Sequence, residues 1–163
     1  LENNIKVREA IWETVDGLDE EQLNTRPEPE SWSIMEVLEH LYLMEVVLTK
    51  GMMKQLESGE EKEAEDKPIQ LTVDRSRKVD APSHVQPTGE VKSLDDMKEN
   101  LASSREMLLD FANNADQEKL KQKAMPHPVF GMMSLDQWIP FIGYHEERHR
   151  LQIEEIKQKL VVK

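Results

Sequence analysis

Three histidines carry the chemistry open to this chain. His145 and His149 stand four residues apart in Tyr144-His145-Glu146-Glu147-Arg148-His149, so in a helix they lie one turn apart on one face. Both imidazoles can then reach one metal ion, which makes half a site. His40, far earlier in the chain, supplies the missing ligand. It follows Val37 by three residues and precedes Met44 by four, at the edge of an apolar helical stripe. Three neutral nitrogens would hold a divalent metal and leave positions open for water or substrate, the ligand count of a reactive site rather than a closed one. Zinc and nickel are the expected ions, and iron and manganese also suit imidazole and water. The competing reading makes each a core histidine, hydrogen-bonded to a neighbouring helix or a water, because an unpaired buried nitrogen is costly.

The same letters match His-Glu-x-x-His, the metalloprotease pattern, with Glu146 as candidate general base. Against a protease, Glu154 and Glu155 lie on the same helix as both histidines and are poorly placed to close round the ion. No strand-rich half precedes the motif to align a peptide. Glu147 reads as a solvated residue within reach of Arg150. His127, in Pro126-His127-Pro128, is a loop residue ahead of the metal helix and a candidate cofactor-binding residue at the mouth of the site. His84 reads as a crossover loop residue. Ser104 either faces the cavity or bonds back to its own helix. Trp12, Trp32 and Trp138 read as packing anchors.

The ligands must be positioned by helices, and four segments carry helical periodicity. The first, about residues 2–18, spaces Ile5, Arg8, Ile11, Trp12, Val15 and Leu18 on one side. The second opens at Ser31 or Ser33, where Ser33 and Glu36 form a capping box, and runs to about Glu57. The third opens at Ser93 and carries Leu94, Met97, Leu101, Leu108 and Phe111. The fourth opens at Ser134, with Pro140 in its first two turns allowing a kink or a late start. Between the second and third lies a stretch from about Ser58 to Lys92, holding an acidic run and Pro68, Pro82 and Pro87. A connection this long fits a four-helix bundle with one crossover. No alternating pattern calls for a sheet, so the expectation is all-α, one domain over residues 1–163.

Composition narrows the function classes. A net charge of −12 opposes binding to nucleic acid or an anionic membrane, which need clustered Lys and Arg. No apolar run reaches the roughly 20 residues of a bilayer span, and the first residues lack a signal-peptide pattern. The sequence has no cysteine. That excludes disulfides, Cys-ligated zinc and a protein thiol nucleophile, and it fits a cytoplasmic location.

Two blocks carry a resemblance. They are Ser31-Trp32-Ser33-Ile34-Met35-Glu36-Val37-Leu38-Glu39-His40-Leu41, and His127-Pro128-Val129-Phe130-Gly131 followed by Trp138 and Tyr144 to Ile153. Together they resemble the DinB/YfiT-like family of metal-binding four-helix bundles. The resemblance implies an up-down-down-up bundle, a homodimer and a metal site mapping onto His40, His145 and His149. It also implies a choice of activities. The foremost is a metal-dependent transferase joining a low-molecular-weight thiol of the bacillithiol type to an electrophilic small molecule. The alternatives are a hydrolase using water, and a non-catalytic metal-binding stress-response module.

Overall fold

The computed structural model describes residues 1–76 and 79–162. Four long helices form the body: α1 (Glu2–Val15), α3 (Ile34–Ser58), α4 (Leu94–Asn114) and α6 (Leu135–Val162). Two short helices, α2 (Glu20–Asn24) and α5 (Gln117–Gln122), and a hairpin of β1 (Ala124–His127) and β2 (Gly131–Ser134) complete it. Helix α1 packs on α6, α3 on α4, and α3 on α6. The two ligand-bearing helices are therefore neighbours, and the four-helix bundle expected from periodicity is the observed fold.

Local chemistry sets the ends. Ser33 Oγ accepts from the Glu36 N–H at 3.1 Å and Glu36 Oε1 accepts from the Ser33 N–H at 3.0 Å, the capping box read in the sequence. Helix α1 stops at Val15, short of the expected Leu18, because the chain turns at Gly17 with φ +81°, a conformation open to glycine without steric cost. Ile5 also departs from expectation: it is 48% exposed, while Asn4, Val7, Arg8, Ile11 and Val15 face inward. The buried stripe runs at steps of three and four through those residues, and Ile5 falls off its edge. Pro140 neither delays nor ends α6, which begins at Leu135.

A short hairpin is added to the mostly helical bundle. Ala124 pairs with Ser134 and His127 with Gly131. Strands of four residues with a proline inside leave too little alternation to recognise. Gly131, at φ +75°, closes the three-residue loop Pro128-Val129-Phe130, as such loops require. The Leu135 N–H donates to the Lys123 carbonyl at 2.9 Å, fixing the hairpin to the start of α6.

The crossover from 59 to 93 is neither free nor structureless. It contains two 3₁₀ turns, Ile69–Val73 and Ser83–Val85, while its residues 77 and 78 lie outside the described residues. Gln137 on α6 exchanges two hydrogen bonds with the Lys67 backbone, at 2.8 and 3.0 Å. Arg148 donates to the carbonyls of Thr72 and Asp74, and Arg75 grips Glu155 at 2.7 and 3.1 Å. Farther on, Glu39 on α3 accepts from the N–H groups of Thr88 and Gly89 at 2.7 and 3.0 Å. The crossover is thus a strap laced to both ligand-bearing helices.

The core divides into two apolar clusters. One gathers Ile11, Ile34, Leu38, Met97, Leu101 and Ile153, and the other Met52, Leu108, Met133, Leu135, Trp138 and Ile142. Helices α3, α4 and α6 each carry polar residues between their contributions to the two: Glu45 and Thr49 on α3, Ser104 and Arg105 on α4, Glu146 on α6. A buried polar layer therefore crosses the waist of the bundle.

Candidate metal centre

Helical geometry brings His145 and His149 together on α6. Their ring centroids lie 4.5 Å apart and their Nε2 atoms 3.2 Å apart. His40 reaches across from α3, with its ring 5.3 Å from His145 and 4.8 Å from His149. The three offer one ligand nitrogen each, and these nitrogens lie within 4.8 Å of one another. The convergence inferred from spacing is present in the structure.

Two of the rings are held by partners behind them. The crossover carbonyl of Val85 lies 2.7 Å from His40 Nδ1. A carbonyl only accepts, so the proton sits on Nδ1 and the Nε2 lone pair faces the cluster. Gln152 Oε1 lies 2.7 Å from His149 Nδ1 and orients that ring in the same sense. Hydrogen bonds of this kind to the far nitrogen fix tautomer and direction in metal-binding histidines. Trp32 packs on His40 with centroids 5.1 Å apart.

Electrostatics keep the cluster unprotonated. Burial lowers His149 from the ordinary 6.5 to about 3, with His40 adding repulsion. Burial also drops His145 well below the usual imidazole range, helped by His149 and His40. His40 is lowered by burial, against the pull of the Val85 carbonyl. At neutral pH the site presents neutral imidazoles, the form that binds metal.

The His145–His149 pair has the spacing of two ligands to one divalent ion. Metal–nitrogen bonds of about 2.0–2.1 Å in tetrahedral array place neighbouring nitrogens about 3.3 Å apart, close to the 3.2 Å between His145 and His149. That spacing alone also suits a hydrogen bond between the two rings. The third lone pair, brought from another helix, distinguishes a cage from a pair.

Glu146 sits in the buried polar layer. Arg8 Nε donates to its Oε1 at 3.0 Å, Arg8 Nη2 makes a second contact to the same oxygen, and Arg105 Nη2 donates to Oε2 at 3.0 Å. Glu45 completes the group, accepting from Arg8 at 3.2 Å and Arg105 at 2.9 Å. Both carboxylates are buried, with Glu45 and Glu146 each at 1% exposure. Two guanidiniums balance two carboxylates, and the spare donors reach the Leu101 and Asn4 carbonyls. Burial nonetheless raises the Glu146 carboxyl, against the pull of Arg8 and Arg105. Both oxygens of Glu146, the candidate general base, are thus engaged by arginine donors. Ser104 belongs to the same layer, its hydroxyl donating to Glu45 at 2.5 Å, with the Leu101 carbonyl 3.1 Å away as the alternative acceptor.

The remaining residues sort simply. Glu147 pairs with Arg150, as expected. His84 is exposed, and its neighbour Val85 supplies the useful carbonyl. His127 sits on β1 among aromatic rings, with Phe141 4.9 Å away, and Phe141 in turn lies 5.9 Å from His145. Sequence reasoning missed Arg8, Glu45, Arg105 and Gln152. Charged residues at apolar-stripe positions were the available signal for Arg8 and Glu45.

A family model described as the DinB superfamily matches residues 5–153. The chain belongs to the DinB superfamily. Protein YuaE of Bacillus subtilis (strain 168) is 38% identical over 155 residues, covering 95% of each chain. Among solved structures, this superfamily member is similar to YfiT from Bacillus subtilis, described as "a probable metal-dependent hydrolase with an unusual four-helix bundle topology". That match has TM-score 0.70 and 15% identity over 98% of this chain and 85% of the other. TT2238, described as a four-helix bundle protein, matches with TM-score 0.64 and 18% identity over 94% of each chain. Among the described residues no helix is long and apolar enough to cross a membrane.

Proposed function

We propose that the protein is a divalent-metal-dependent transferase, with His40, His145 and His149 holding the ion and a low-molecular-weight thiol of the bacillithiol type as nucleophile. Bound there, the cation supplies the Lewis acidity that favours ionisation of a thiol or a water at neutral pH. The chain's own contribution is to keep three imidazoles neutral and aimed, and to leave one side of the cage for reactants. The thiol sulfur then bonds to an electrophilic carbon, its proton passes to solvent, and the leaving group departs with the bonding electron pair.

The observation that carries this choice is the engagement of both Glu146 oxygens by Arg8 and Arg105. Hydrolysis by the His-Glu-x-x-His route needs that carboxylate free to take a proton from water. A thiol is the more acidic nucleophile and has less need of a base. A protein without cysteine draws its sulfur from outside. Hydrolysis remains the second reading, favoured by the description of YfiT. Zinc and nickel are the ions to load first. The proposal extends to a homodimer in the cytoplasm.

The test is conjugation of monochlorobimane by zinc- or nickel-loaded protein, with bacillithiol, cysteine or coenzyme A as thiol, beside hydrolysis of a p-nitrophenyl ester. Metal-dependent turnover that requires a thiol supports the transferase. Thiol-independent ester hydrolysis assigns the hydrolase instead. Stable metal binding with neither activity leaves the role of a non-catalytic module.

A further inference from the structure

His127 occupies an exposed hairpin tip, between Pro126 and Pro128, yet is itself half-buried. Its Nδ1 lies 3.0 Å from the Val129 nitrogen and 3.1 Å from the Phe130 nitrogen. Both are backbone N–H donors, so Nδ1 must accept and carries no proton. Burial holds the ring below the ordinary imidazole range, so at neutral pH it is uncharged and its single N–H is on Nε2. The turn thus fixes a neutral hydrogen-bond donor on the edge of the ring away from the hairpin loop.

Three aromatic rings pack near the His127 ring. Phe130 lies 4.8 Å from the His127 ring, Trp138 5.5 Å and Phe141 4.9 Å. The Trp138 indole N–H is already used, donating to the Met125 carbonyl at 3.2 Å. Phe141 connects this group to the cluster, its ring 5.9 Å from that of His145. A fixed donor without charge, set among apolar rings and one ring away from the three-histidine cluster, selects a matching ligand. That ligand is flat and apolar and carries an uncharged acceptor.

We infer that His127 and its aromatic neighbours form the subsite for the electrophile, binding a planar apolar group through a carbonyl oxygen that accepts from His127 Nε2–H. This deepens the transferase reading and rests on it for the word electrophile. The contact itself requires no turnover. A carboxylate or phosphate is disfavoured, since the ring supplies no positive charge.

The alternative role for His127 is purely structural, pinning the hairpin turn. His127→Asn separates the two, because an asparagine Oδ1 can take the place of Nδ1 and accept the same N–H groups while Nε2–H is lost. The probe is N-phenylsuccinimide, which presents carbonyls on a flat frame but does not alkylate thiols. Nitrogen-15 spectra of zinc-loaded wild-type protein should show the Nε2–H tautomer at His127, with that resonance moving as the probe binds. His127→Asn should bind the probe about tenfold more weakly, the scale of one hydrogen bond, in a protein that remains folded. In turnover it should raise KM for a carbonyl-bearing electrophile more than it lowers kcat. An Nδ1–H tautomer, a probe that leaves the His127 resonance unmoved at millimolar concentration, or equal affinity in a folded His127→Asn protein would overturn the inference. Should His127→Asn not fold, the wild-type spectra still decide. Probe binding without thiol transfer would sink the transferase and keep the subsite, and transfer without the His127 contact would do the reverse.

Discussion

His149 Nδ1 lies 2.7 Å from Gln152 Oε1, one turn along α6, and this contact aims the opposite nitrogen at His145 and His40. Removing the acceptor frees the ring to rotate and to place its proton on the nitrogen facing the metal. Gln152→Ala should weaken zinc binding by about 10–100-fold, the usual cost of losing such a partner, without unfolding the bundle. Competition with a chromogenic chelator measures it. Unaltered affinity would mean that packing alone orients His149.

The depressed imidazoles make the metal-free fold acid-sensitive. The unfolded chain protonates His149 below its ordinary 6.5, whereas the folded chain resists until about 3. Between those values the unfolded state binds the extra proton, so stability falls as pH falls. From pH 6.5 to 5 the loss from His149 is about 2 kcal/mol, at about 1.4 kcal/mol per pH unit. His145 adds to it in the same direction. Glu36 and Glu155, lowered by their bonds to Arg26 and Arg75, lose stability in more acidic solution. Glu146, raised by burial, acts in the opposite sense. Urea midpoints of the metal-free wild type and His149→Asn should therefore diverge in pH slope below 6.5 and run parallel above 7. Equal slopes throughout would show that His149 titrates normally.

The charged layer predicts a stability phenotype for Glu146. Glu146→Gln leaves Arg8 and Arg105 sharing Glu45 alone inside the protein. Breaking a buried pair on one side costs about 3–5 kcal/mol, so the variant should melt far below wild type. Arg105→Ala should fall in the same range. Because these residues share one network, the double variant Arg105→Ala with Glu146→Gln should be less destabilised than the sum of the two. Additive losses would argue against a coupled layer. A Glu146→Gln protein of wild-type stability that has lost turnover would return Glu146 to the role of base.

At Gly143 α6 lies close against α1. A Cβ there would lie 2.9 Å from Asn4 Oδ1 and 3.1 Å from Asn3 Nδ2. Asn4 is fully buried, its Nδ2 donating to the Ile139 carbonyl at 3.0 Å, so it has little room to withdraw. Alanine normally stabilises a helix interior by up to about 1 kcal/mol over glycine. Overpacking costs about 1–3 kcal/mol, and here it should win. Gly143→Ala is expected to lower the melting temperature, and a rise would mean that Asn4 yields easily.

Much of this arrangement was legible in the residues. The i, i+4 spacing of His145 and His149 and the place of His40 on an apolar stripe depend on helical repeat alone, which is why their convergence could be anticipated. The capping box at Ser33 is equally local. What escaped notice depends on contacts between distant segments. Arg8 lies on the apolar stripe of α1, but its partners Glu45 and Glu146 come from α3 and α6, and nothing in local pattern pairs them. The Val85 carbonyl has no sequence signature, since any residue would supply one. The hairpin was hidden by its brevity, and the arginine partners of Glu146 were hidden because a five-letter motif carries no statement about which way its second residue faces. On a helix, the position after His145 turns about 100° away from it, here into the arginines.

Zinc titration of purified, chelator-stripped protein, read by calorimetry alongside His40→Ala, His145→Ala and His149→Ala, tests the three-histidine centre most directly. The expected result is about one tightly held ion per chain, with each single variant folded but its binding weakened by orders of magnitude. Wild-type protein that takes up no divalent ion, or a His40→Ala variant that binds as tightly as wild type, would contradict it.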